Sequence, residues 1–196
     1  MPVSFFIESS APPPVENLEW NENYKDSDIH LYEGNLRAEL WTGAGTFSSV
    51  LALPGKSSGK WFVELEAADI GNSCQIGLAN SLSVDLNTYC GLGNDSWGCA
   101  STNGDVYHDG GNPDYIPGGW DAGDTPIGLA VDVDAGKFWI SKDGVWTGDP
   151  VAGTGEGASG LTGTLYLMIS FYAIGQEFTI NTTTKHAAPS GYSNWA

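Results

Sequence analysis

Apolar and polar residues alternate along several short stretches of this chain, each bounded by turn-forming residues. Ile29 and Leu31 alternate with polar neighbours, Glu33-Gly34-Asn35 interrupts, and Leu36, Ala38 and Leu40 resume, which predicts a hairpin. After Gly59-Lys60, the residues Trp61, Val63, Leu65 and Ala67 fall on one face of a strand and Phe62, Glu64 and Glu66 on the other. That pattern predicts a core face and a mostly wet face. Gln75–Ala79 reads as a shorter strand with Ile76 and Leu78 inward. The clearest alternation is Ile127, Leu129, Val131 and Val133; a turn at Ala135-Gly136 returns the chain through Lys137–Ser141, and Asp143-Gly144 turns it again. Leu165, Leu167, Ile169 and Phe171 form a late strand, which Gly175-Gln176 turns into Phe178 and Ile180. Between Val84 and Trp120 the pattern is least regular, with one hairpin turn at Asn103-Gly104, so surface loops are expected there.

Composition narrows this to an all-β chain. Twenty-seven Gly and 10 Pro suit many tight turns, and 8 Trp supply bulk to fill the space between two sheets. The length of 196 residues fits one large sandwich, with 41% hydrophobic and only 16% charged residues, too little charge for disorder. The formal net charge of -17 repels phosphate backbones and anionic lipid, which argues against nucleic acid and membrane surfaces as partners. No apolar run approaches the roughly 20 residues needed to cross a bilayer, and the first residues lack the charged start of a secretory signal. Cys74, Cys90 and Cys99 form no CxxC pair and read as buried small hydrophobes.

Pro12-Pro13-Pro14, after Ser9-Ser10-Ala11, reads as an extended linker, so residues 1–14 are expected to form an arm outside a single sandwich spanning 15–196. Val3, Phe5, Phe6 and Ile7 are the candidate anchoring residues of that arm, either loose or docked on a partner subunit.

Gly59-Lys60-Trp61-Phe62-Val63-Glu64 resembles the early strand of SPRY domains. Gly123-Asp124-Thr125-Pro126-Ile127-Gly128-Leu129-Ala130-Val131-Asp132 is similar to the family's Gly-Asp-x-Ile-Gly-x-Ala-x-Asp, and Gly136–Gly144 to the strand and turn that follow it. Trp97-Gly98 with Asn103-Gly104 looks like the middle strands and Leu165–Ser170 like the late strand, while Asn181-Thr182-Thr183 departs from the usual Asn-Phe-Gly. The resemblance implies a bent two-sheet antiparallel β-sandwich, a concanavalin-like jelly roll whose loop end grips a protein or a glycan. It brings no catalytic residues, so no enzyme and no cofactor are expected. Gly148-Asp149-Pro150 and the tail from Ala188 to Trp195 look like SPRY-like proteins of bacteriophages and their bacterial hosts. That likeness implies a virion surface or tail component; otherwise, with no secretory signal or bilayer-spanning run, a cytoplasmic protein is expected.

Aromatic residues are the better lead to a binding site, because Tyr and Trp offer rigid faces at low entropic cost. Tyr89, Tyr107, Tyr115 and Trp146, with the polar His108 and Asp109, are the loop candidates, whereas Trp61, Trp97, Trp120 and Trp139 read as core. Glu64 and Glu66 lie roughly 6.6 Å apart along a strand at about 3.3 Å per residue, which leaves glycan hydrolysis as a remote alternative. Asp132, Asp134 and Gly136 resemble the start of a calcium loop but lack its remaining acids, and a hairpin turn explains them better; no metal site is assigned. The acidic loop residues Asp105, Asp109 and Asp114 leave a bound cation open. The leading expectation is a non-catalytic module that recognises a host-surface glycan or protein. A structural virion protein anchored by its arm to other virion proteins, or to copies of itself as a homo-oligomer, is the alternative.

Overall fold

The computed structural model describes residues 17–70, 73–111 and 115–196. Val3, Phe5, Phe6 and Ile7 of the expected arm, and Asp114, lie outside the described residues. In chain order the strands are β1 (Glu19–Lys25), β2 (Ile29–Tyr32), β3 (Arg37–Leu40), β4 (Ser48–Leu53), β5 (Lys60–Ala68), β6 (Gln75–Ala79), β7 (Ser96–Ala100) and β8 (Val106–Tyr107). They continue as β9 (Ile127–Asp132), β10 (Lys137–Lys142), β11 (Val145–Trp146), β12 (Ala158–Ser159), β13 (Tyr166–Phe171), β14 (Glu177–Ile180) and β15 (Ser193–Asn194). One sheet has the order β1-β4-β13-β6-β7-β8 and the other β11-β10-β9-β5-β14-β3-β2, with β12 paired to β10 and β15 to β5.

The result is the all-β two-sheet sandwich that the alternation predicts. Every strand pair is antiparallel except β15 with β5, where Ser193 and Asn194 run parallel to Trp61 and Phe62. The hairpins appear at the expected turns: Ile29 opposes Leu40 across β2–β3, and Asp132 opposes Lys137 across β9–β10. Asp143 and Gly144 take φ of 43° and 78°, the left-handed pair that a two-residue hairpin requires, so β10 passes directly into β11. Asp132 and Asp134 are occupied in turn geometry: Asp132 accepts from the Ala135 N–H at 3.0 Å and meets Lys60 Nζ at 2.8 Å, and Asp134 accepts from the Gly59 N–H at 3.1 Å. Burial works to raise the Asp132 carboxyl, but Lys60 and the turn N–H groups outweigh it and hold it below its ordinary value.

The core lies between the sheets. Trp20, Ile76, Leu78, Leu167, Ile169 and Phe171 face Val63, Leu65, Leu129, Val131, Phe138 and Phe178 in one continuous apolar cluster. Fully burying each such side chain stabilises the fold by about 1.5–3 kcal/mol before conformational entropy is charged. Phe171 and Phe178 belong to opposite sheets, so the Gly175-Gln176 turn carries the chain across the core instead of closing a hairpin. Cys74, Cys90 and Cys99 are all buried and free, and burial pushes the Cys74 thiol up to about 12.

The outer face of β5 differs from the alternation's prediction. Phe62 and Glu64, expected to be wet, are each 1% exposed, while Trp61 is only half-buried, with Lys56 Nζ 3.8 Å from its ring centroid. The cause is the segment after β14, a strap that leaves the sheet at Asn181, crosses its outer face and returns as β15. Tyr192 packs on Phe62, Ala130 and Trp139, and donates its hydroxyl to the Pro150 carbonyl. Glu64 accepts from the backbone N–H of Lys185 at 2.5 Å and of His186 at 3.1 Å, and its Oε1 lies 2.8 Å from His186 Nδ1. A carboxylate tied in this way is a structural acceptor, and Glu66 beside it is exposed. Glu64, buried under the strap, is not placed to meet a substrate together with Glu66 as the two carboxylates of a glycosidase do.

Candidate binding groove

The outer face of the first sheet carries the candidate site. Its residues there are small: Gly77 and Ala79 on β6, Gly98 and Ala100 on β7. Gly77 pairs with Gly98, and Gly98 with Tyr107, so Tyr107 stands on the outer face at the edge of a shallow trench. The loop between β6 and β7 settles into that trench. Ser49 donates its N–H to the Leu86 carbonyl and its hydroxyl to that of Thr88. Cys90 donates its N–H to Ser170 Oγ at 2.8 Å, and Gly91 donates to Ser96 Oγ at 2.9 Å. Leu82, Val84 and Leu86 cover Leu51 and Met168. A segment that looks irregular in sequence is therefore held at fixed points, and Tyr89 with it.

Pinned there, Tyr89 meets Tyr107 edge to face at 5.6 Å and Phe47 at 5.3 Å, and Phe47 in turn meets Tyr172 at 5.0 Å. The three rings of Phe47, Tyr89 and Tyr107 wall a groove of about 360 Å³, floored by Gln75 and Ala100 and closed at one side by Ser73, Thr102 and Asn103. The polar side is braced internally: Asn103 Nδ2 donates to Asp105 Oδ2 at 2.8 Å and to Tyr107 Oη at 3.2 Å, and the Ser73 N–H donates to Thr102 Oγ1 at 3.0 Å. Gln75 is 4% exposed, and its Oε1 accepts a hydrogen bond from no described residue. The exposed Leu92 lies beside Tyr89, whose carbonyl takes the Leu92 N–H, and the exposed Ile174 follows Tyr172 by two positions.

Of the expected loop residues, this groove unites Tyr89 and Tyr107. His108 stands next to it but turns away. Its ring stacks on Trp97 at 4.4 Å and its Nδ1 lies 2.8 Å from the Ser96 carbonyl, so it lines a second depression of about 440 Å³ with Glu156 and Ser159. Asp109 holds the turn between His108 and Gly111 at φ 46°. Tyr115 is an internal brace: its hydroxyl donates to the Thr147 carbonyl at 2.6 Å and accepts from the Ile140 N–H at 3.3 Å, and burial pushes its phenol up. Trp146 packs on Phe62 at 5.9 Å, on the outer face of the other sheet. Among the described residues, no three His, Cys, Asp or Glu side chains converge as metal ligands would. Phe47 and Gln75 were not among the expected site residues. The readable sign was the run Gln75-x-Gly77-x-Ala79, a strand face too small to form its own surface and hence one that another segment must cover.

Residues 60–185 match the family model of the SPRY domain, and the chain belongs to that family. The SPRY domain of human HERC1 shares the fold at a TM-score of 0.66 and 16% identity, covering 85% of this chain and 99% of that one. The PSpry domain of TRIM65 does so at 0.64 and 13%, covering 86% and 90%. A further human SPRY domain aligns at 0.58 and 14%, over 82% and 98%. No curated protein matches the sequence. SPRY domains are generally non-catalytic, protein-binding modules.

Proposed function

We propose that this chain is a recognition module that grips a segment of a partner protein in the groove walled by Phe47, Tyr89 and Tyr107. The observation that carries the reading is the meeting of three rings, drawn from three separate parts of the chain, around a floor where the buried side-chain carbonyl of Gln75 has no donor among the described residues. Aromatic walls with a convergent polar floor are the usual make-up of a specific pocket. The exposed Leu92 and Ile174 beside it extend the apolar surface available to a partner. The setting we infer is a phage virion surface or tail, with a bacterial surface protein as the partner. It is supported by the likeness of Gly148-Asp149-Pro150 and of the tail from Ala188 to such proteins.

The test is adsorption of the purified, fluorescently labelled chain to a panel of bacterial strains, with a Tyr89→Ala/Tyr107→Ala variant beside it. Adsorption that the variant loses, and that protease treatment of the cells abolishes, supports the reading. Adsorption removed by periodate and not by protease would replace the protein partner with a glycan. Full adsorption by the variant would move the site elsewhere.

A further inference from the structure

The groove's chemistry narrows its occupant, on the reading that it is the binding site. Its floor offers an acceptor: Gln75 Oε1, buried and with no donor among the described residues, can take an N–H or O–H from a ligand in the groove. Its walls offer ring faces, whose negative quadrupole attracts cations. Its rim is acidic, because Asp105 is tied through Asn103 to Tyr107 Oη. The sequence contains no lysine or arginine between Lys60 and Lys137, the stretch that supplies every lining residue except Phe47. The chain's own cations are held elsewhere, Lys60 on Asp132, Lys137 on Glu156 and Lys142 on Asp124. The chain as a whole carries a formal net charge of -17.

We propose that the groove takes an arginine side chain of the partner, its guanidinium packed against the edge-to-face pair of Tyr89 and Tyr107, stacked on the face of one ring, and donating in its plane to Gln75 Oε1. A guanidinium suits the site better than an ammonium, since it is planar, weakly hydrated and stacks on aromatic faces while keeping its edge donors free. A neutral apolar side chain would leave the Gln75 acceptor unpaired, at the cost that any buried orphan carries. The recognised segment is therefore basic, and the acidic face steers it from a distance, so association slows as salt rises.

The experiment is an NMR titration of the full chain with Nα-acetyl-arginine amide, its uncharged isostere Nα-acetyl-citrulline amide, and Nα-acetyl-leucine amide. The arginine probe should shift the Gln75 side-chain amide and the Tyr89 and Tyr107 signals, with citrulline about tenfold weaker. Gln75→Leu should weaken the arginine response about tenfold without weakening the leucine one. Asp105→Asn, which removes the charge but keeps a side-chain oxygen to accept from Asn103 Nδ2, should weaken arginine more than citrulline; a dispersed spectrum confirms that each variant is folded. Equal responses to arginine and citrulline, or a response to leucine alone, would overturn the arginine occupant and leave the groove as the binding site. No groove response to any probe overturns the arginine occupant as well. The broader reading falls with it only if adsorption survives in Tyr89→Ala/Tyr107→Ala.

Discussion

Gly98 shows how the proposed groove depends on a missing side chain. A Cβ there would sit 2.3 Å from the Cys90 carbonyl oxygen, and one on its cross-strand partner Gly77 would sit 1.8 Å from that of Trp97. Neither obstacle is a flexible tip that can swing aside. Gly98→Ala is therefore expected to lift the loop that carries Tyr89 off the sheet, costing roughly 1–3 kcal/mol by denaturant unfolding and weakening binding beyond what the stability loss explains. A variant with unchanged stability and binding would show that the loop is not held through this contact. At this scale the sequence was partly legible. Tyr89 and Tyr107 stand out as aromatic residues in loop territory, whereas Phe47 and Gln75 do not, because their place in the site follows from which strands become neighbours. Tyr115 and Trp146 look alike in sequence to the first pair, yet a hydroxyl between two backbone groups and a ring on Phe62 make them parts of the scaffold.

Among the elements, the alternating hairpins β2–β3 and β9–β10–β11 were readable because their pairing is local and their turn residues are explicit. The strap after β14 was not, since it has no period and ends in a two-residue strand paired with β5, far away in sequence. Its presence reverses the meaning of Glu64, which a period-two reading assigns to water. Glu64→Ala would strip the acceptor from the Lys185 and His186 N–H groups beneath the strap. The expected loss is about 3 kcal/mol, or roughly 6–12 °C in melting temperature for a chain of this size, read by calorimetry. A melting point within a degree of the parent would mean that the strap is held by Tyr192 and Trp195 alone. Lys185 adds an exposed pair with Asp143, at 2.6 Å, of the kind that contributes little.

For the molecule as a whole, the three thiols report on the integrity of the sandwich. Cys74, Cys90 and Cys99 are buried on different strands and loops, and burial pushes all three above the ordinary thiol range. None should react with a colorimetric thiol reagent at pH 8 until the fold opens, after which all three should react at the rate of global unfolding. Fast reaction of Cys90 alone would show that the loop over the first sheet opens independently of the core. The fold class was legible at this scale because alternation, turns and composition agree. The outer coverings of both sheets were not, because each consists of irregular chain placed by contacts across the whole sequence.

The parallel seam between β15 and β5 also has a consequence for how the chain is made. β5 leaves the ribosome well before Trp195, which donates its N–H to the Phe62 carbonyl and its indole N–H to that of Pro54. Until that later segment is made, Phe62 and Trp139 present a bare apolar face and Glu64 a carboxylate without its donors, so the nascent chain has need of a chaperone throughout that interval.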